Sequence, residues 1–189
     1  RLAQIMVQLL IVSIMDVSLS LFAQLQQDRA ALYQVYIQVL RQTTFLALPV
    51  FVLVAGFSDA IVVLLFGQKW ADSAPILQAL AYLGAIQSIA FYHGALLNAL
   101  GLPAKQLGLN ALQVILTIVA FLLFSPHGIN WVANGLLFVG LILLPIGAWT
   151  VQSALGFRVL TVWWQIRIPL VGCVALIFYT WGIRQIFLF

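Results

Sequence analysis

Charge is what this sequence has least of. Only 6% of its residues are charged and only four of the 189 are acidic, which leaves acid–base chemistry few candidate groups. There is one cysteine, Cys173, inside an apolar run, so neither an intrachain disulfide nor a cysteine-based metal site is available. No glycine-rich phosphate loop opens a helix, no HExxH or CxxC occurs, and no two carboxylates share one face of an apolar segment. The expectation is a protein that is not an enzyme, with no metal and no cofactor. The eight basic residues give a net charge of +4 but stand singly between hydrophobic runs. They read as determinants of membrane orientation rather than as a nucleic-acid surface.

What the chain has in abundance is hydrocarbon. Hydrophobic residues make up 65% of it, more apolar surface than a soluble domain of this size can hide. The runs approach the ~20 residues needed to cross a bilayer core, and transmembrane strands would be about half as long and alternating. An all-α, polytopic transmembrane helix bundle of about six spans is expected, at residues 2–25, 43–66, 75–100, 105–124, 131–154 and 166–187. Gly67 and Gly101 close apolar runs, while Pro75, Pro103 and Pro126 lie at the turns. In LFGQKWADSAPILQAL, Gly67 ends one span, Asp72 or Ser73 caps the next, and Pro75 fits a first turn.

Alternate connections differ in basic residues. Arg29, Arg41, Lys105, Arg158 and Arg167 fall in one set and Lys69 alone in the other, so the first set is expected in the cytoplasm. Trp70, Trp131 and Trp181 then form an outer aromatic belt, with Trp149, Trp163 and Trp164 in the inner one. Two cytoplasmic connections read as short amphipathic helices joining spans along the membrane surface. Leu32, Val35, Tyr36, Val39 and Leu40 form the apolar face of the first, and Phe157, Leu160 and Trp164 that of the second.

Asp16 lies inside the first span, where an ionised carboxylate costs ~2.5 to 3.5 kcal/mol. Ser13, Asp16 and Ser20 share one helix face, flanked by Gln4 and Gln8. Two readings stand: a cavity wall in which Asp16 binds a proton or cation, or a hydrogen-bonded aspartate joining helices. In the third span Gly84, Gln87, Phe91, Gly94 and Asn98 recur at helical spacing, with Ser88, Tyr92 and His93 beside them. Packing between helices is the first role for this stripe and cavity lining the second, with Gln87 the cavity candidate. Asn110, Gln113 and Asn134 are weaker instances of the same kind.

The run LFGQKWADSAPILQALAYLGAIQSIAFYHGALLNALGLPAKQLGLNAL, with LQQDRAALYQVY upstream, resembles the C-terminal half of the polysaccharide transporter family. That family lies within the multidrug/oligosaccharidyl-lipid/polysaccharide flippase superfamily. The likeness is carried by Leu25, Gln26 and Asp28 before Tyr33 or Tyr36, then Pro49 and Gly56. It continues with Phe66, Gly67, Trp70, Ser73, Pro75, Leu77 and Gln78, then Gly94, Leu100, Gly101 and Pro103. It is best over about residues 20 to 115, and the first span departs from the pattern, reading MDVSLSLFAQLQ where relatives often have a proline and a basic ending.

The resemblance implies that residues 1–189 are one lobe, the C-terminal one, of a two-lobed flippase fold whose N-terminal lobe is a partner missing from this chain. It implies a multi-pass protein of the bacterial cytoplasmic (inner) membrane. By alternating access such a protein moves undecaprenyl-diphosphate-linked oligosaccharide for lipopolysaccharide or exopolysaccharide synthesis, with possible proton or sodium coupling. The alternatives are a related exporter, such as a lipid II flippase or multidrug extruder, and a polytopic glycan polymerase or ligase. The short outer turns weigh against the last. With six spans Phe189 emerges outside, whereas the resembled family ends in the cytoplasm, so a further helix after Phe189 is expected.

Overall fold

A computed structural model describes Phe22, Gln24, Leu25, Gln27 and residues 28–156. The first and sixth expected spans and the second amphipathic connection lie outside the described residues. Within them the secondary structure is entirely helical. In chain order come α1 (Arg29–Gly56), α2 (Ser58–Phe66), a 3-10 turn (Gln68–Ser73), α3 (Ala74–Ala90) and α4 (His93–Ala99). Then follow α5 (Pro103–Phe124), a second 3-10 turn (Ser125–His127) and α6 (Ile129–Leu155).

Four stretches are long and apolar enough to cross a membrane: Arg29–Gly56, Gln68–Ala99, Pro103–His127 and Ile129–Leu155. Large apolar side chains such as Leu46, Leu107, Leu122, Leu123 and Phe138 project exposed from them. Such contiguous apolar surface requires a non-aqueous surrounding. The protein is membrane-embedded.

The expected helix on the membrane surface over residues 26–42 is not a separate element. α1 starts at Arg29, capped by the Asp28 carboxylate, which accepts from the backbone N–H groups of Ala30 and Ala31 at 3.0 Å each. It runs unbroken into the span expected at residues 43–66 as far as Gly56, and that span is itself divided at Phe57, α2 taking it on from Ser58 to Phe66. At 1.5 Å per residue the 28 residues of α1 reach about 42 Å, more than a hydrocarbon core of about 30 Å. The physical reason is that Leu32, Tyr36 and Leu40 are covered by protein, not lipid. They pack with Phe22, Tyr92, Leu96, Val151 and Leu155 in the main buried cluster.

The turns follow the glycines. Gly67 and Gly101 take φ of 87° and 70°, a region closed to most side chains. At Gly101 the N–H of Leu102 reaches back to the Leu97 carbonyl at 2.9 Å, a Schellman-type helix end. The expected side-chain cap on α3 is not made. Ser73 holds the cap position without a side-chain hydrogen bond, because the 3-10 turn runs straight into α3 and the Ala74 N–H bonds to the Ala71 carbonyl.

α1 and α6 pack on α3, α6 also packs on α5, and α4 touches both α5 and α6. Between lipid-solvated helices the hydrophobic effect supplies no net attraction, so close packing of small residues takes over. The buried residues of α3 are accordingly Ala74, Ala79, Ala81, Ala85 and Ser88. α5 is the exception, with Ala120 its one buried residue.

Candidate functional site

The third expected span is broken at Phe91 and Tyr92, which separate α3 from α4, and the break scatters the stripe read along it. Gly84, on α3, faces α1. A Cβ there would collide with the Phe51 ring. Gly94, on α4, faces α5 instead, where a Cβ would lie 2.8 Å from the Gln106 amide nitrogen. Small residues thus do let neighbouring helices approach, but two different neighbours on either side of the break. Gln87 is exposed on the wall of a groove between α1 and α3, and Asn98 is exposed on α4.

Tyr92 and His93 sit in the break itself. The hydroxyls of Tyr92 and Thr43 hydrogen-bond at 2.9 Å, tying the break to α1. The Phe91 ring meets Tyr92 edge-on at 5.0 Å. His93 is buried, its ring 6.4 Å from that of Tyr36. A Cβ on Gly147 of α6 would come within 2.8 Å of its Nδ1. The glycine is therefore the space into which the imidazole fits. These contacts pack α1, α4 and α6 against one another.

A second polar group lies on α5. Gln106, Asn110, Gln113 and Thr117 follow at spacings of four, three and four, so they form one stripe along the helix. Gln106 Nε2 donates to Asn110 Oδ1 at 3.0 Å, and Gln106 Oε1 is buried without a hydrogen-bond partner. Asn110 and Gln113 are exposed. With Val114, Thr117 and Ile118 they line a shallow concavity of about 430 Å³. On the rest of α5 Leu107, Ile115, Val119 and Leu122 are exposed hydrocarbon. At the start of the helix Lys105 Nζ donates to Ser153 Oγ of α6 at 3.3 Å. The stripe has donors and acceptors but no charge, and it can exchange hydrogen bonds with a hydroxyl-rich ligand in either sense.

Sequence reading marked Asn110 and Gln113 and missed Gln106 and Thr117, though the spacing that joins them is visible in QLGLNALQVILT. It also missed Thr43, which nothing in its local sequence distinguishes. Trp70 and Trp131 are about half exposed, at 51% and 55%, and Trp131 stacks on Phe124 at 6.4 Å beside His127. Asp16, Ser13, Ser20, Gln4, Gln8, Trp163 and Trp164 lie outside the described residues. Among the described residues no three of His, Cys, Asp and Glu cluster as metal ligands would.

The class defined so far is a helical membrane protein with an uncharged polar stripe on an otherwise apolar span. Residues 1–75 match a family model described as polysaccharide biosynthesis protein. The chain is thus similar over that segment to a polysaccharide biosynthesis family, consistent with the polysaccharide transporter resemblance read from the sequence. No curated protein and no solved structure matches the chain.

Proposed function

We propose that this chain forms one lobe of a flippase that carries undecaprenyl-diphosphate-linked oligosaccharide across the bacterial inner membrane by alternating access, with the α5 amide stripe as its glycan-facing wall. The observation that carries this reading is the stripe Gln106, Asn110, Gln113 and Thr117 on a helix with a single buried residue. Polar side chains at membrane depth are expensive unless they meet protein, water or a polar ligand. Side-chain amides match sugar hydroxyls, and neutral hydrogen bonds of about 0.5–1.5 kcal/mol each are weak enough to be exchanged in sequence as a glycan passes. The match to a polysaccharide biosynthesis family supports the substrate class. Translocation of this kind makes and breaks no covalent bond.

The test is Asn110→Leu combined with Gln113→Leu in the complete transporter, measured as translocation of a lipid-linked oligosaccharide in reconstituted vesicles. Transport is expected to fall at least several-fold while the amount of folded protein in the membrane is unchanged. Ile115→Leu, on the exposed hydrocarbon of α5 away from the stripe, is expected to leave transport intact. Wild-type translocation by the double variant would overturn the reading.

A further inference from the structure

Along α1 the exposed side chains change character at one place. From Arg29 to Gln42 they are Arg29, Ala30, Gln34, Gln38, Arg41 and Gln42, and from there to Phe57 they are Phe45, Leu46, Val50, Leu53 and Phe57. We infer that the hydrocarbon of one leaflet ends on this chain at the level of Thr43, and that residues 28–42, α4 and the end of α6 form a collar projecting past the lipid headgroups into water. Its outer face, carrying Gln34, Gln38 and Arg41, is then a surface that meets water and soluble molecules, not lipid. The inference does not depend on the transport reading.

Contacts between helices carry the same level across the bundle. Thr43 bonds to Tyr92, and the Phe51 ring lies where a side chain at Gly84 would stand, eight residues on along α1 and eight back from Tyr92, so α1 and α3 run antiparallel in register. His93, next in the chain, sits against Gly147 of α6. Two residues further along α6, Trp149 is 68% exposed, and after it the exposed residues are Ser153 and Gly156. Indole rings settle at the headgroup level. Past Tyr92 the exposed residues of α4 and the turn that follows are Asn98 and Gly101. On α5, joined to α6 by Lys105 and Ser153, exposed large hydrocarbon starts at Leu107. The four helices thus set the edge of the lipid within about one turn of a common level.

The buried side chains change at the same level. The largest fully buried apolar residues, Phe22, Leu32, Tyr36, Leu40, Leu96 and Leu97, belong to the collar. On the lipid side α3 buries Ala79, Ala81, Ala85 and Ser88 instead. Burying a large apolar side chain gains about 1.5–3 kcal/mol where the alternative is water. Where the alternative is lipid that gain is absent, and close approach of small residues takes its place. The collar is packed like the core of a water-soluble protein.

Length completes the case. From Arg29 to Gln42 the helix rises about 21 Å, whereas a headgroup layer is only about 5–8 Å deep. Because α1 is unbroken from Arg29 to Gly56, its first part cannot turn to lie along the membrane surface. Even at a tilt of about 20° its first two turns clear the headgroups.

Nitroxide labels on single cysteines at Gln34, Gln38, Gln42, Leu46 and Val50, in a Cys173→Ala background of the full chain, test the placement. All five positions are exposed, so the labels displace no packed side chain. The protein is placed in phosphatidylcholine vesicles containing a lipid with a nickel-chelating headgroup. Oxygen collisions are expected to dominate at 46 and 50. Relaxation by headgroup nickel is expected to be strongest at 42 and several-fold weaker at 34, with 38 between them. Equal nickel relaxation at 34, 38 and 42 would mean a helix lying on the surface and would overturn the inference. So would oxygen collisions dominating at 34 or 38, which would put lipid around the collar.

Discussion

Replacing Gly147 by alanine and replacing Gly108 by alanine add the same methyl group to a membrane helix, yet the structure requires opposite outcomes. At Gly147 the new Cβ would stand 2.8 Å from His93 Nδ1 and 3.3 Å from its Cε1. The imidazole has little room to retreat, being buried among Tyr36 and the break residues. Overpacking of a close contact typically costs about 1–3 kcal/mol, and relief of the glycine backbone entropy returns only about 0.5–1 kcal/mol. The net effect is destabilisation by up to about 2 kcal/mol. At Gly108 nothing lies within 4 Å of the added atom, so only the gain in helix propensity remains, about 0.5–1 kcal/mol in favour of alanine. Unfolding of the purified protein in mixed micelles by titration with a denaturing detergent measures both. Adding His93→Ala to Gly147→Ala should remove the clash, so the double variant should be more stable than the sum of the singles by ~1 kcal/mol or more, as expected for side chains in contact. Equal stability of the two alanine variants, or strict additivity with His93→Ala, would refute the account of Gly147 as the socket for the imidazole.

Thr43→Val and Tyr92→Phe each remove one half of the 2.9 Å hydroxyl pair and should destabilise by about 0.5–1.5 kcal/mol. The double variant should lose little more than either single, as the same unfolding titration will show. Cysteines at Gln34, Gln68 and Lys105, all exposed at helix ends or turns, should report the orientation. Those at 34 and 105 are expected to label only from the cytoplasm and that at 68 only from the periplasm, so labelling of 68 and 105 from one side would break the alternation of spans.

The four described apolar stretches and their turns were legible because their causes are local. A bilayer demands long apolar runs, and Gly67, Gly101 and Gly128 stand where the backbone takes a positive φ. The break in the third span has no such mark. It falls at Phe91 and Tyr92 with neither glycine nor proline between them, and its partners are distant: Thr43 holds Tyr92, and Gly147 receives His93. For residues 26–42 the helical periodicity was read correctly and its partner wrongly. Leu32, Tyr36 and Leu40 would show the same spacing facing lipid as they do facing Leu96 and Leu155, and only the tertiary structure distinguishes the two. Half of the α5 stripe was seen. Gln106 was not marked, although it is hydrogen-bonded to Asn110 one turn further along the helix.

α5 carries a mechanical implication as well as a chemical one. It is a rod of 22 residues with one buried side chain, joined at both ends through glycines in left-handed backbone, Gly101 at φ 70° and Gly128 at φ 101°. Few packed contacts have to be surrendered for such a rod to change its inclination, whereas α1 and α3, locked by Phe51 against Gly84, must move as one body. Among the long described helices the one bearing the amide stripe has the fewest buried side chains, so the least side-chain packing opposes its tilting. The direction in which those amides point is set less by the neighbours that hold α5 than by whatever it meets on its open side.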